Sequence, residues 1–219
     1  MFAIKGIDVS KYQGNINWEK VKASGVDFAI LRLGYTGTVT RKPTIDPKFA
    51  RNYAQSTKVG INVGVYYYST ATSLKQAKNE ANFVIKQLRG KKLQYPVYID
   101  TEDAKQAKLS KSELTAIVKE FCERMEQAGY YVGIYANKYW FAEQLDDNKL
   151  RAYDKWIAQY NKKCTYNGDY GLWQYSDRGK VDGIKGYVDL NKCFKNYPQI
   201  IKKAKLNGYS GKITPYKQL

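Results

Sequence analysis

What most constrains this chain is a change of rhythm about two-thirds of the way along it. Up to about residue 135, apolar strand-like runs alternate with segments of helical spacing. Ile4–Val9, Asp27–Gly34, Val63–Ser69, Val97–Asp100 and Tyr131–Tyr135 read as strands, each opening a strand–helix unit. Beyond them Asp154–Tyr160, Tyr170–Tyr175 and Gly186–Asp189 are strand-like too, but closely spaced. A parallel crossover needs about a dozen residues or more, usually a helix. The gap after Tyr175, with Gly179 and Gly183 in it, is too short and glycine-rich for one. The pattern predicts an α/β fold: a modified TIM-like barrel of five βα units followed by three strands with little helix between them. An open doubly wound sheet is the alternative. The absence of a glycine-rich phosphate fingerprint after the first strand weakens its dinucleotide-binding form.

Local signals agree. Ser110 with Glu113 three residues on is a capping box for a helix whose apolar stripe ends at Gly129. Asp46–Pro47 reads as a cap followed by proline at the first helical position, and Thr72 or Ser73 caps a helix to about Leu88. Residues 1–205 are expected to form one domain. The segment 206–219, with Gly208, Gly211 and Pro215, reads as a tail or linker stub, or as an extra edge segment. Met1–Gly6 shows no signal peptide, and no apolar run approaches the roughly 20 residues that span a bilayer.

Composition narrows the chemistry. Histidine is absent from all 219 residues, which excludes Ser-His-Asp and Cys-His catalysis and histidine-containing zinc sites. Acid/base work near neutral pH then falls to carboxylates, Lys, Tyr or Cys. Cys122, Cys164 and Cys193 lie far apart with no C-x-x-C spacing. Three free thiols are expected, a Cys164–Cys193 bridge being the alternative, and no metal or cofactor is called for. The formal charge of +17 points to an anionic polymer or surface as partner.

The stretch Tyr95–Asp103 carries the strongest chemical signal. An apolar run rises into Asp100 and Glu102, and side chains two apart on a strand share a face. Paired buried acids are costly unless they meet solvent, a partner or a substrate. The plainer reading is a strand ending in a polar turn capped by Asp103. Other strand ends add Asp8 and Asp189, so four carboxylates would project to one barrel rim. Arg32, Tyr66, Tyr68, Tyr135, Trp156, Gln159, Trp173 and Gln174 are the candidate substrate-binding residues around them. Carboxylate pairs beside aromatic faces suit glycoside hydrolysis, where one acid protonates the leaving oxygen and an oxocarbenium-like charge needs a neighbouring anion. With 21 tyrosines in the chain, several of these aromatics could equally serve as filling for the barrel.

Gly6-Ile-Asp-Val-Ser-Lys-Tyr-Gln-Gly14, Tyr98-Ile-Asp-Thr-Glu102, Gly133-Ile-Tyr135, Trp156-Ile-Ala-Gln-Tyr160, Trp173-Gln-Tyr175 and Val188-Asp-Leu-Asn191 together resemble the glycoside hydrolase family 25 lysozymes. These are the Chalaropsis-type N-acetylmuramidases of bacteria and phage endolysins. The resemblance runs in order through roughly residues 4 to 195. It implies a flattened barrel and cleavage of the β-1,4 bond between N-acetylmuramic acid and N-acetylglucosamine in peptidoglycan. By the same resemblance Glu102 is the general acid, Asp100 the partner acting on the substrate's 2-acetamido group, and Asp8 and Asp189 the flanking acids. A catalytically silent wall-binding barrel and a chitinase-like hydrolase are the rival readings. Peptidoglycan in walls bearing anionic polymers is the expected partner, with no nucleic acid, no membrane and a monomeric state. The protein is expected to act on the wall after release from the cytoplasm, or after secretion and removal of a leader.

Overall fold

The computed structural model describes residues 3–209, and they form the predicted barrel. Its strands are β1 (Ile4–Val9), β2 (Phe28–Thr36), β4 (Asn62–Tyr68), β5 (Val97–Asp100), β6 (Val132–Asn137), β7 (Asp154–Ala158), β8 (Leu172–Gly179) and β9 (Val188–Cys193). A short β3 (Pro43–Ile45), read as loop from sequence, adds antiparallel to the outer end of β2. Pairing is parallel from β1 through β2, β4, β5, β6 and β7 to β8. It turns antiparallel at β8–β9 and at β9–β1, and the β1–β2 pairing closes the ring. The open sheet is thereby excluded. Helices α1 (Trp18–Ala23), α2 (Phe49–Lys58), α3 (Leu74–Leu88), α4 (Lys111–Gln127) and α5 (Lys138–Glu143) follow the first five barrel strands, and α6 (Tyr197–Lys203) ends the described chain.

The capping box of α4 forms as the sequence indicates, with Ser110 and Glu113 exchanging side-chain and backbone bonds. α2 departs from expectation, starting at Phe49 with no side-chain cap. The Asp46 carboxylate serves the turn before the helix and distant partners together: Oδ1 accepts the Lys48 N–H at 2.8 Å, while Oδ2 accepts from Arg32 Nε at 2.7 Å and Lys11 N–H at 3.0 Å. All three cysteines are free thiols. No helix among the described residues is long and apolar enough to cross a membrane.

Strand alternation divides the core in two. Outward residues such as Ile7, Leu31, Val65, Ile99 and Ile134 pack under the helices against Val84, Val118 and Phe121. Inward residues fill the barrel itself: Phe28, Ile30, Tyr95, Tyr98, Trp156, Leu172 and Cys193, joined from α6 by Tyr197 and Ile201. Space for the rings comes from glycines on neighbouring strands. A β-carbon at Gly6 would strike the Phe28 ring, and one at Gly133 the Tyr98 ring. Phe28 and Tyr95 stack at 4.4 Å, and the Tyr98 hydroxyl meets that of Tyr197 at 3.4 Å. The polar groups at this lower end are paired. Asp154 accepts from Lys195 Nζ at 2.9 Å and from the Tyr131 hydroxyl at 3.2 Å.

Of the segment set apart in sequence as a tail, residues 206–209 are knitted into the domain. Asn207 is fully buried, donates to the Tyr95 carbonyl at 2.9 Å and accepts the Tyr131 N–H at 2.8 Å. The packed edge therefore takes in four residues beyond 205, and residues 210–219 lie outside the described residues.

Candidate active site

The same alternation that fills the lower barrel with rings delivers polar groups to its upper end. Inward positions there carry Asp8 and Arg32 from β1 and β2, Tyr66 and Tyr68 from β4, and Asp100 from β5. Tyr135 and Asn137 come from β6, Gln174 from β8, and Asp189 and Asn191 from β9. Glu102 follows two residues beyond Asp100. The antiparallel register sets Asp8 directly opposite Asp189, a juxtaposition that only the reversal of β9 allows.

Each acid has a distinct environment. Asp8 is buried, and its Oδ2 accepts from Asn191 Nδ2 at 2.7 Å and Gln174 Nε2 at 2.9 Å. Burial, then the charge of Asp189, pushes its pKa up to about 8 against the pull of those two amides. Asp189 is raised to about 6, by burial and then by Asp177. Asp100 is held well above the usual carboxylate range by burial, then by Glu102 and Asp8, with Arg32 opposing. Its Oδ1 is buried and has no hydrogen-bond partner. Glu102 is raised by burial, partly offset by Asn137. Its Oε1 accepts the Asn137 backbone N–H at 2.7 Å and also a short bond from the Asn137 amide, so the second oxygen is the one left to carry a proton. Removal from water disfavours the charged form of every one of these groups, and like charges reinforce the effect. The mouth is therefore a reservoir of protons near neutral pH.

An open groove of about 460 Å³ leads to Glu102, lined by Tyr135, Asn137, Lys138, Tyr139, Ala158, Gln159, Tyr160 and Asn161. Gln174 ties this wall to the acids: its Oε1 accepts from the Tyr135 hydroxyl at 2.9 Å and the Tyr160 hydroxyl at 3.0 Å, while its Nε2 serves Asp8. Among the described residues no group of three or more Cys, Asp or Glu is placed to hold a metal ion.

The mouth gathers Asp8, Asp100, Glu102, Asp189, Arg32, Tyr66, Tyr68, Tyr135 and Gln174. The Tyr68 hydroxyl is committed to Asp103 at 3.3 Å. Two expected substrate contacts, Trp156 and Trp173, are corrected. Trp156 is 1% exposed beneath the mouth, with Tyr66, Tyr98 and Tyr135 edge-on or tilted against it and its Nε1 donating to Asn191 at 2.8 Å; it supports the floor. Trp173, one residue from inward Gln174, has outward parity. It is 5% exposed, with Lys192 5.1 Å from its ring and its Nε1 donating to the Gln159 carbonyl at 2.8 Å. Gln159 stays in the groove lining, and both ends of its amide bond Thr165, at 2.9 and 2.8 Å, bracing the loop there. Asn137 and Asn191 were not singled out as site residues, although each shares strand parity with one that was, Tyr135 and Asp189.

A family profile for glycosyl hydrolases family 25 matches residues 7–184. The uncharacterized protein YegX of Escherichia coli K12 is 29% identical over 193 residues, covering 87% of this chain and 69% of that protein. An autolytic lysozyme of Clostridium acetobutylicum is 26% identical over 189 residues, covering 86% of this chain and 55% of its own length. The modular autolysin LytC from Streptococcus pneumoniae, solved in complex with a synthetic peptidoglycan ligand, superposes with a TM-score of 0.79 at 29% identity. That match covers 88% of this chain but only 47% of LytC, so the chain spans about half of the autolysin's length.

Proposed function

We propose that this chain, which belongs to glycosyl hydrolases family 25, hydrolyses peptidoglycan at the β-1,4 bond between N-acetylmuramic acid and N-acetylglucosamine. The observation that carries the reading is the pairing of Glu102, gripped at one oxygen by Asn137, with Asp100, which has a buried and unpartnered Oδ1. Glu102 donates its proton to the leaving glycosidic oxygen as that bond breaks. The substrate's acetamido oxygen attacks the anomeric carbon, and Asp100 accepts the acetamido N–H and offsets the oxazolinium charge that develops. Water then opens the ring, losing its proton to Glu102. Substrate-assisted glycosidases are recognised exceptions to the two-carboxylate scheme. Asp8, held by Asn191 and Gln174, and Asp189 opposite it shape the field without transferring the proton. The charge of +17 suits walls that carry anionic polymers.

Digestion of purified peptidoglycan tests this. New reducing ends on muramic acid are expected. Ends only on glucosamine would instead indicate a chitinase-like hydrolase, and binding without release a silent barrel; either rejects the proposal.

A further inference from the structure

Among the described residues Arg32 is the one cation at the inward positions of the barrel mouth, set among four carboxylates, and its surroundings hold it rigidly. Its Nε donates to Asp46 at 2.7 Å, and Asp46 is itself pinned by the Lys11 and Lys48 N–H groups. The guanidinium lies between two rings, with Cζ 5.0 Å from the centroid of Tyr12 and 5.2 Å from that of Tyr35. The β2–β4 register slips at a bulge immediately after Arg32, between it and Gly34, a device that re-aims side chains beside active sites. Despite that investment its Nη2 is buried with no hydrogen-bond partner. Asp100 Oδ1 is in the same condition with the opposite sign.

We propose that Arg32 is a positioning residue whose fixed charge draws Asp100 toward its ionised form, against the acids around it, and so favours the proton on Glu102. The inference rests on the roles proposed above for those two acids. Asp100 is faced by Asp8 from β1, Arg32 from β2, Tyr66 and Tyr68 from β4, Glu102 beyond β5 and Tyr135 from β6. The acids in that set favour its neutral form and the tyrosines are uncharged near neutral pH, so Arg32 supplies the opposing field. Arg32 pulls Asp100 toward its charged form, opposite in direction to the neighbouring acids. A charge so placed divides the proton unequally between two neighbouring acids that would otherwise compete for it. An arginine suits the task because it stays protonated at every working pH.

The test is the pH profile of kcat/KM on a soluble glycan oligomer. In R32M, which keeps the stacked bulk, the acid limb should move up by about 1 pH unit, the size expected on losing a nearby opposite charge. R32K should bring it back toward wild type. D46N, which removes the anion compensating Arg32, should move it the other way. An even loss at every pH, or a rise in KM with the limbs in place, would overturn the proposal and leave Arg32 a contact or packing residue. A carboxyl-carbon NMR titration of aspartate-labelled protein, assigned with D100N, reads Asp100 without turnover. An Asp100 titration that does not rise in R32M also overturns it. If the wild type proves inactive on walls, this titration still decides the role of Arg32 while the functional reading fails. If R32M does not fold, D46N carries the same decision, and a shift that is upward or absent counts against the proposal.

Discussion

The two ends of the barrel interior bury aspartates under opposite terms. At the lower end Asp154 has Lys195 and the Tyr131 hydroxyl on one oxygen, amid stacked rings and a plug from α6. At the upper end Asp8 and Asp100 sit among other acids, one held by two neutral amides and the other with an unpartnered oxygen. Buried charge is tolerable when paired and costly when not. The lower end therefore supplies stability, while the upper end spends some of it to keep carboxylates protonated at a pH where free ones are ionised. One alternating pattern builds both, and only the choice of inward residue differs.

The largest expected effect lies at the upper end. Glu102→Gln keeps the shape and loses the proton, so wall clearing should fall by about 10²–10⁴-fold, the usual contribution of general acid catalysis. Circular dichroism and wall binding should be unchanged. A variant retaining more than about a tenth of the activity would remove Glu102 from the role. Asp100→Asn should be similarly severe, with Asp8→Asn and Asp189→Asn intermediate.

Tyr197→Ala asks the complementary question of the plug. It empties a fully buried site between Tyr95, Tyr98 and Tyr131. Urea unfolding should show a loss of about 3–5 kcal/mol, with activity per folded molecule preserved. If kcat falls at pH values where the protein is folded, the two ends are not separable in this way.

A smaller effect follows from Asp8 alone. Its folded pKa of about 8 lies above the ordinary 3.8, so between those values the native state holds a proton that the unfolded chain has lost. Stability from this group is full below about pH 4 and declines as pH rises toward 8. Asp8→Asn cannot titrate, and an asparagine oxygen can still accept from Asn191 and Gln174. Its melting temperature should gain on wild type steadily from pH 5 to pH 8, at about 2–4 °C per kcal/mol. Parallel curves would mean that Asp8 is ionised in the native state.

The mildest prediction concerns the outer surface. If the charge of +17 serves wall association, lysis of intact cells should weaken with salt, since attraction between exposed charges is screened over about 10 Å at 0.1 M. Cleavage of a soluble muropeptide oligomer should change much less. Equal sensitivity would reduce the lysines to a solubility device.

Much of this was readable from spacing. Strand positions follow from apolar runs, α4 from its capping box, and the lack of a helix before the last strand from the short, glycine-rich gap after Tyr175. The four acids emerge because strand ends are where inward polar residues cost least. The misreadings came from ignoring parity within a motif. In Trp173-Gln174 only one can look inward, and in Trp156-Ile-Ala-Gln-Tyr160 the parity ends with β7 at Ala158. Depth was hidden for another reason. Trp156 and Tyr135 stand on adjacent strands in register, yet which is floor and which is rim depends on the rings around them. Asp46 illustrates a third limit, because Arg32 and Lys11, the partners it has besides the local Lys48 N–H, are distant in sequence.

The reversed β9 has a consequence for how such a chain can change over generations. Asp189 faces Asp8, Asn191 faces both Gly6 and Gln174, and Cys193 faces Leu172, all through one register. Gain or loss of a single codon within Val188–Cys193 would exchange inward and outward residues, turning Leu190 toward the acids and one of the polar pair away. Length variation should instead gather where the chain is exposed and outside the sheet, as at Asn161, Lys162 and Lys163. Aligned descendants of this chain would then show gaps in such loops and an unbroken hexapeptide in β9.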